Sequence, residues 1–181
     1  MDQQLHGGPL AAVTRRLEDA RGLDAVAGVI EPMVGGALGT GPRRRLLSGE
    51  WLGHALHPLL TDVPIGTWTS SIILDLFGGS SSERAADLLT AVGVASVAPT
   101  ALSGWSDWSA TTTAAQRRVG IVHAAANIAA ASLFTASLAR RRQGQRGAGK
   151  LLSLAGACAL GAGGYLGGHL SYARGAGVGE R

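Results

Sequence analysis

The sequence predicts an all-α protein, specifically an integral membrane four-helix bundle preceded by an N-terminal amphipathic helical extension. Hydrophobic residues make up 46% of the 181 residues and charged residues only 15%, which leaves little polar material to cover a soluble globule. Each of the 28 glycines would cost about 1 kcal/mol relative to alanine in a helix in water, whereas in lipid small residues let helices pack closely. The arginines stand in short runs beside apolar stretches, as at the ends of membrane-spanning helices.

The charge and cysteine content narrow the function classes. The net charge of +4 would suggest nucleic acid for a soluble protein, but arginines that flank apolar segments indicate contacts with lipid headgroups, so no nucleic-acid partner is predicted. The single cysteine, Cys158, lies in an apolar run. One cysteine cannot build a disulfide framework or a thiolate metal cluster within this chain.

Residues 1–50 are predicted to be an N-terminal extension. Its apolar residues share one helical face, which predicts a short interfacial helix: Leu10, Val13 and Leu17. Pro32, the glycines between 35 and 41, and Pro42 are predicted to interrupt regular structure and to leave a linker rich in Gly, Pro and Arg.

Residues 51–175 are predicted to be the four-span membrane domain, followed by a tail at 176–181. The spans are predicted at 58–78, 85–102, 119–139 and 151–170. Starting the first span at Pro64 would leave only about 21 Å of helix, short of a hydrocarbon core of roughly 30 Å. Pro64 is therefore predicted to lie inside the helix and to free the carbonyl of Leu60.

Four antiparallel spans would bring four of the five histidines to the same membrane face. These are His54, His57, His123 and His169. Ionisable side chains inside a bilayer are costly and mark functional sites, so the cluster predicts a haem or metal site. His123 and His169 each lie about 7 Å along their helix from a flanking arginine, at matched depths.

Several sequence blocks resemble one bacterial membrane-protein family, catalogued as domain of unknown function 2231. The first blocks are Gly53-His54-Ala55-Leu56-His57-Pro58 and Thr61-Asp62-Val63-Pro64-Ile65-Gly66; later ones are Asp75, Ser103-Gly104, Asp107-Trp108, His123 with Asn127, and Gly163-Gly164-Tyr165-Leu166-Gly167-Gly168-His169-Leu170. The resemblance covers about residues 50–175. It implies a four-helix membrane domain, followed in some relatives by a Rieske-type iron–sulfur domain. This sequence lacks the Cys and His pairs of a Rieske cluster, so we expect such a partner to be a separate polypeptide.

Two kinds of site remain open. In the first, His123 and His169 ligate haem b, Asn127 orients His123, and Gly164 and Gly168 let the porphyrin lie against the backbone. In the second, a transition metal (iron, copper or zinc) is bound by imidazoles with help from carboxylates. Its candidate ligands are His54, His57, His123, His169, Asp62 and Asp107.

A structural alternative is also open. In it the histidines donate to carbonyls freed near Pro64 or Pro99 and form a satisfied polar network. Asp75 is then an interfacial carboxylate. The arginine runs anchor headgroups, and three tryptophans mark an interfacial belt: Trp51, Trp105 and Trp108.

The predicted function is membrane electron transfer through a histidine-lined pocket, with a quinone, a Rieske-type protein or another redox protein as partner. The alternative is a non-redox membrane protein that translocates protons or small solutes, or supports assembly. A hydrolytic or transferase enzyme is not predicted. The expected location is the bacterial cytoplasmic membrane, multi-pass, with cytoplasmic termini, and the glycine-rich fourth span suggests a homo-oligomer.

Overall fold

The computed structural model describes residues 8–175, and all regular structure within them is helical. The helices are α1 (Pro9–Glu18), α2 (Leu23–Leu38), α3 (Gly41–Ser48), α4 (Leu56–Phe77), α5 (Glu83–Ser109), α6 (Ala114–Arg142) and α7 (Arg146–Gly168). A π-helical turn, His169–Ala173, extends α7. His6 and the predicted tail at 176–181 lie outside the described residues.

The four long helices pack as two antiparallel hairpins, α4–α5 and α6–α7. Helix α4 contacts α5 and α7, and α6 contacts the same two helices. The start of α4 and the start of α6 therefore lie at one end, together with the end of α5 and the end of α7. We call this the histidine end, because His57, His123 and His169 belong to it.

Within residues 8–175, three helical stretches are long and apolar enough to cross a membrane: Ser80–Ser109, Ala114–Arg142 and Arg146–Ala173. Only 17%, 22% and 22% of their most apolar stretches is buried, so most of that surface faces outward. Helix α4 has 22 residues, about 33 Å, but its hydroxyl residues, Asp62 and Asp75 make it less apolar. The all-α membrane architecture is confirmed, with three helices that qualify as spans by hydropathy.

Helices α4 and α6 meet along a seam of three side-chain pairs. His57 meets His123, Trp68 meets Phe134, and Asp75 meets Arg141. The two members of each pair are 66 residues apart, so the helices run parallel. The steps along each helix, 11 and then 7 residues, add up to about five turns. The three pairs therefore form one stripe along each helix.

The centre of the seam is an aromatic stack seated on glycines. Trp68 is 2% exposed and stacks on Phe134 with ring centroids 4.1 Å apart. A Cβ on Gly93 of α5 would lie 2.3 Å from Trp68 Nε1, and one on Gly156 of α7 would lie 2.9 Å from the Phe134 ring. Both glycines therefore let a neighbouring helix approach a ring more closely than any side chain allows.

Serine hydroxyls also tie each hairpin together. Ser71 donates to the carbonyl of Ala86 at 2.9 Å and lies 2.7 Å from the Thr90 hydroxyl. Ser137 does the same in the second hairpin, with the Gly149 carbonyl at 2.7 Å and the Ser153 hydroxyl at 2.8 Å. These buried hydroxyls are satisfied within the protein, as an apolar surrounding requires.

Pro64 lies inside α4, as predicted, and the carbonyl that it frees has a partner on another helix. Thr100 of α5 donates its hydroxyl to the carbonyl of Leu60 at 3.2 Å. The irregularity therefore strengthens the contact between α4 and α5.

Helices α1 to α3 form an arm, residues 9–48, at the histidine end. The predicted interruption at Pro32 is wrong, because α2 runs through it. Proline removes the hydrogen bond to the carbonyl four residues earlier, and that residue, Gly28, is exposed. Pro42 lies in the first turn of α3, where the missing N–H is not needed.

Ion pairs dock the arm on the start of α6. Arg118 binds both carboxylate oxygens of Asp24 at 2.7 and 2.6 Å, and Arg117 binds Glu31 at 2.8 Å. The predicted apolar stripe of α1 faces outward at Leu10 and Val13. Its interfacial position remains a prediction.

Replacing Gly93 with alanine should destabilise the domain by about 1–3 kcal/mol, because the new methyl group displaces Trp68 from Phe134. Thermal unfolding in detergent should show the lower midpoint. Gly161→Ala is the matched control, since nothing lies within 4 Å of a Cβ there. Equal midpoints for the two variants would contradict this account of the seam.

Candidate functional site

The histidine end brings His57 of α4 and His123 of α6 together. Their ring centroids are 6.3 Å apart and the ring planes meet at 83°. The two side chains come from parallel helices, so both rings enter the same layer of the domain. The sequence pattern predicts imidazoles from distant parts of the sequence in one layer, but with His169 as the partner of His123, whereas the partner in the structure is His57.

His57 is fixed by contacts to α5. Its Nδ1 lies 3.0 Å from the carbonyl oxygen of Thr100 and 3.2 Å from the Ser103 hydroxyl. A carbonyl only accepts, so Nδ1 carries the hydrogen and Nε2 has a lone pair when the ring is neutral. A Cβ on Gly104 would lie 2.7 Å from His57 Cε1, so glycine is required where the ring rests on α5.

His123 is fixed in the same way by α7. Its Nδ1 lies 2.8 Å from the carbonyl oxygen of Gly163, which again places the hydrogen on Nδ1 and the lone pair on Nε2. A Cβ on Gly167 would lie 2.9 Å from His123 Cε1. Each histidine therefore donates to a backbone carbonyl on the second helix of its own hairpin.

Asn127 lies one turn after His123, as the sequence predicts for an orienting residue. Its amide nitrogen donates to the His123 carbonyl at 2.9 Å and lies 3.4 and 3.2 Å from the two ring nitrogens. Near-equal distances to both nitrogens place the amide over the face of the ring. The amide is therefore not an in-plane hydrogen-bond partner of Nε2.

Two neutral imidazoles with Nδ1 bound to carbonyls are the arrangement in which histidines ligate metals. Within residues 8–175 no group of three or more His, Cys, Asp or Glu side chains is placed to hold a metal ion. The two imidazoles that meet at this end are those of His57 and His123.

His169 lies elsewhere at the same end, against the arm. Its Nε2 is 2.7 Å from Glu18 Oε1, and Arg174 binds both oxygens of the same carboxylate. Burial alone would raise the pKa of Glu18, but hydrogen bonds and charge from Arg174 and His169 outweigh it and hold the pKa below its ordinary value of 4.5. The structure thus pairs His123 with His57, and His169 with Glu18.

The other predicted site residues are dispersed. His54 is exposed, with Nδ1 3.2 Å from the carbonyl of Ala55, and Asp62 is exposed on α4, whereas Asp107 is half-buried near the end of α5. Gly164 meets nothing within 4 Å, and Gly168 meets only Tyr172. The glycines that face the site are their neighbours, Gly163 and Gly167.

The tryptophan belt is only partly consistent with the structure. Trp51 is exposed, as a belt residue would be, but Trp108 is 7% exposed. Trp108 donates to the carbonyl of Arg117 at 3.1 Å and packs on Gly120. Its role is to join α5 to α6, and the belt interpretation is wrong for this residue.

The opposite end of the domain holds a buried charge cluster that the sequence reasoning missed. Arg141 is 0% exposed and Asp75 is 3% exposed at the side chain. All five N–H groups of Arg141 have acceptors, which are both oxygens of Asp75, one oxygen of Asp87, and the hydroxyls of Ser137 and Ser153. The predictions of an interfacial Asp75 and of a headgroup-anchoring Arg141 are therefore wrong.

Two further bases complete the cluster. Arg146 donates to Asp75 at 3.1 Å and to Asp87 at 3.0 Å, and it pairs with Glu83 at 3.2 Å. Lys150 donates to the main-chain carbonyl of Asp75 at 2.7 Å. The signal in the sequence was Asp75 itself, a carboxylate inside an apolar run, which in lipid demands a cationic partner.

Removing either partner of the central ion pair should destabilise the protein strongly. Asp75→Asn and Arg141→Gln should each cost about 3–5 kcal/mol, because the remaining charge is buried without its counter-ion, and the double variant should cost less than the sum. Denaturant or thermal unfolding of the four proteins in detergent measures this coupling. Arg142→Gln, at an exposed neighbour, is the control; strictly additive losses would contradict the structure.

The contact of the arm with Arg174 should weaken in acid. The folded pKa of Glu18 is depressed, so its stabilisation is present above about pH 4.5 and is lost as the pH falls through the lower folded value. The protection of residues 9–18 against hydrogen exchange, corrected for the intrinsic exchange rate at each pH, should therefore fall between about pH 5 and pH 3. Glu18→Gln should remove this pH dependence and Glu50→Gln should keep it; a dependence that survives Glu18→Gln would refute the assignment.

Comparison with known proteins identifies the family. No curated protein and no solved structure matches the chain. A family model described as "Predicted membrane protein (DUF2231)" matches residues 53–180. That range contains both histidines of the pair and the whole charge cluster. The chain therefore belongs to this family of predicted membrane proteins, as the sequence blocks indicated.

Proposed function

We propose that this protein is a four-span membrane protein in which His57 and His123 ligate a transition-metal centre that transfers electrons. The observation that carries the proposal is the pair itself. Both rings have Nδ1 bound to a backbone carbonyl, both have Nε2 lone pairs, and their centroids are 6.3 Å apart. Two imidazoles whose Nε2 atoms each lie about 2 Å from an ion between them have centroids roughly 6 Å apart.

Helix α4 supplies the fourth span in this proposal. It is about 33 Å long, and three of its polar side chains have partners within the domain: His57 meets Thr100, Ser71 meets Ala86, and Asp75 meets Arg141. Polar residues that are satisfied inside a bundle are tolerated in a membrane span.

Haem b is the centre that the donor set favours. Two histidines are a complete axial ligand set for haem iron, and helical bundles are established haem scaffolds. Structural zinc sites use four protein ligands and catalytic ones three, more than this pair provides. A single copper ion is the second metal centre that two imidazoles would bind, because imidazole also suits copper.

Location and partner are part of the proposal. Among the described residues, exposed arginines are more numerous at the histidine end than at the opposite end: Arg15, Arg16, Arg21, Arg43, Arg44, Arg45 and Arg174 against Arg84, Arg140 and Arg142. The positive-inside rule then places the histidine end on the cytoplasmic face of a bacterial inner membrane. A quinone or a separate redox protein, for which a Rieske-type protein is the leading candidate, exchanges electrons with the centre.

A second candidate function is a non-redox one, and one observation favours it. Each histidine already cross-links two helices through its bond to a carbonyl, so the pair also fits a structural polar network. In that case the protein supports assembly or solute passage, and the pair binds no metal.

Purified protein should show a Soret band that shifts on reduction, when the expression host is supplied with iron and a haem precursor. His57→Ala and His123→Ala should each abolish the band, because each removes an axial ligand. His54→Ala and His169→Ala are matched controls from the same end of the domain and should retain it.

Elemental analysis distinguishes haem iron from a single copper ion. A colourless protein that binds copper in a His57- and His123-dependent manner identifies a single-ion site. A protein without haem or copper, or a band lost in His169→Ala but kept in His57→Ala, would refute the proposed pair.

A further inference from the structure

The two hairpins of the domain repeat each other contact by contact. Positions in α4 and α6 correspond at a spacing of 66 residues, and positions in α5 and α7 correspond at 63. Helix α5 begins at Glu83 and α7 begins at Arg146, which is the second spacing. Two residues of this difference of three come from the shorter connection between α6 and α7 (143–145 against 78–82), and the third arises because α6 ends one residue earlier than α4 at the equivalent position.

The repeated contacts include the candidate site. His57 binds the carbonyl of Thr100, and at the equivalent positions His123 binds that of Gly163. The rings rest on equivalent glycines, Gly104 and Gly167.

The repetition continues along the hairpins. Trp68 is seated on Gly93, and Phe134 on the equivalent Gly156. The hydroxyl bonds of Ser71 to Ala86 and Thr90 are reproduced by Ser137 with Gly149 and Ser153. Four independent sets of contacts at the same two spacings indicate two copies of one unit, related by a two-fold axis along the helices.

The two hairpins differ in the sign of the charge at three equivalent positions, and the difference always has the same sense. Asp75 corresponds to Arg141, Glu83 to Arg146, and Asp87 to Lys150. Every acid of the cluster lies in the first hairpin and every base in the second. Asp75 pairs with Arg141 and Glu83 pairs with Arg146, so two of the three equivalent positions bind each other directly.

The remaining contacts cross between hairpins as a two-fold axis requires. Asp87 of α5 receives a bond from Arg141 of α6, and at the equivalent position Lys150 of α7 donates to the backbone of Asp75 in α4. A hairpin facing a copy of itself would instead place acids against acids or bases against bases, around groups that are partly or fully buried. Like charges brought together in a low dielectric are strongly destabilising.

We propose that the domain is an internal duplication of an α-hairpin, and that its divided charges are a pairing code. The acidic surface of α4–α5 accepts a hairpin with bases at the equivalent positions and rejects a second copy of itself. The code thereby selects the pairing that brings one His57 to one His123. This inference is independent of what the histidines bind.

Charge exchange in the full chain tests the code. One variant makes all six positions basic (Asp75→Arg, Glu83→Arg, Asp87→Lys), and another makes all six acidic (Arg141→Asp, Arg146→Glu, Lys150→Asp). Each should lose at least about tenfold in yield of monodisperse protein, because its hairpins now repel. Combining all six substitutions restores opposite charges, with the hairpins reversed in sign, and should recover most of the yield and the melting temperature.

Co-expression provides a second measurement with the same chains. The all-basic and all-acidic variants, each insoluble or polydisperse alone, should copurify as a one-to-one complex in which their hairpins pair across the two molecules. The control is Arg84→Glu with Arg140→Glu and Arg142→Glu, at exposed positions of the same end, which should fold and elute like the unaltered protein. Recovery in the full exchange or in the co-expressed pair supports the code; failure of both, with the control folded, overturns it.

Discussion

The contact between α4 and α6 is the constraint on which the rest of the domain depends. Helix α4 carries several polar side chains that face the interior of the bundle, and each of these needs a partner there. Along the seam those partners are His123 at one end and Arg141 at the other, with Trp68 stacked on Phe134 between them. The stripe fixes both the rotation of the two helices and their relative height.

Each end of the seam has a different energetic character. At the charge cluster, the cost of burying ions is offset only because Arg141 has an acceptor for each of its N–H groups. The buried ion pair specifies one arrangement of the helices more than it adds to stability, since an apolar replacement of the same shape is often as stable. At the histidine end each ring is held by a hydrogen bond from Nδ1 to a carbonyl of the neighbouring helix, so the contacts there are hydrogen bonds and not ion pairs.

The sequence was sufficient for the broad architecture and for the depth of the histidines, but not for the partner of each one. Apolar runs and arginine boundaries predicted helices close to α4, α5, α6 and α7, and their alternation placed the histidines at one end. Depth, however, does not give the direction of a side chain around its helix. His123 and His169 lie at similar depths, yet Gly163 and Gly167 turn His123 toward His57, whereas Glu18 holds His169.

Two other predictions differ from the structure because tertiary contacts were not visible in the local sequence. Pro32 and the glycines between 35 and 41 disfavour helix and predict an interruption there, but docking through Asp24 and Arg118 supplies tertiary energy that local propensity does not include. Asp75 was assigned to the interface because a charge is costly in lipid. The sequence does not reveal the partner of Asp75, because Arg141 stands in a run of arginines that resembles headgroup anchors.

The central claim is that His57 and His123 present two unprotonated Nε2 atoms to one shared position. Nitrogen-15 NMR of histidine-labelled protein in lipid bilayers tests it most directly, with each residue assigned by substitution. The account predicts that both rings are neutral with the hydrogen on Nδ1, and that both Nε2 resonances shift together when haem or copper is added. Rings protonated at Nε2, or resonances that respond independently of each other, would contradict it.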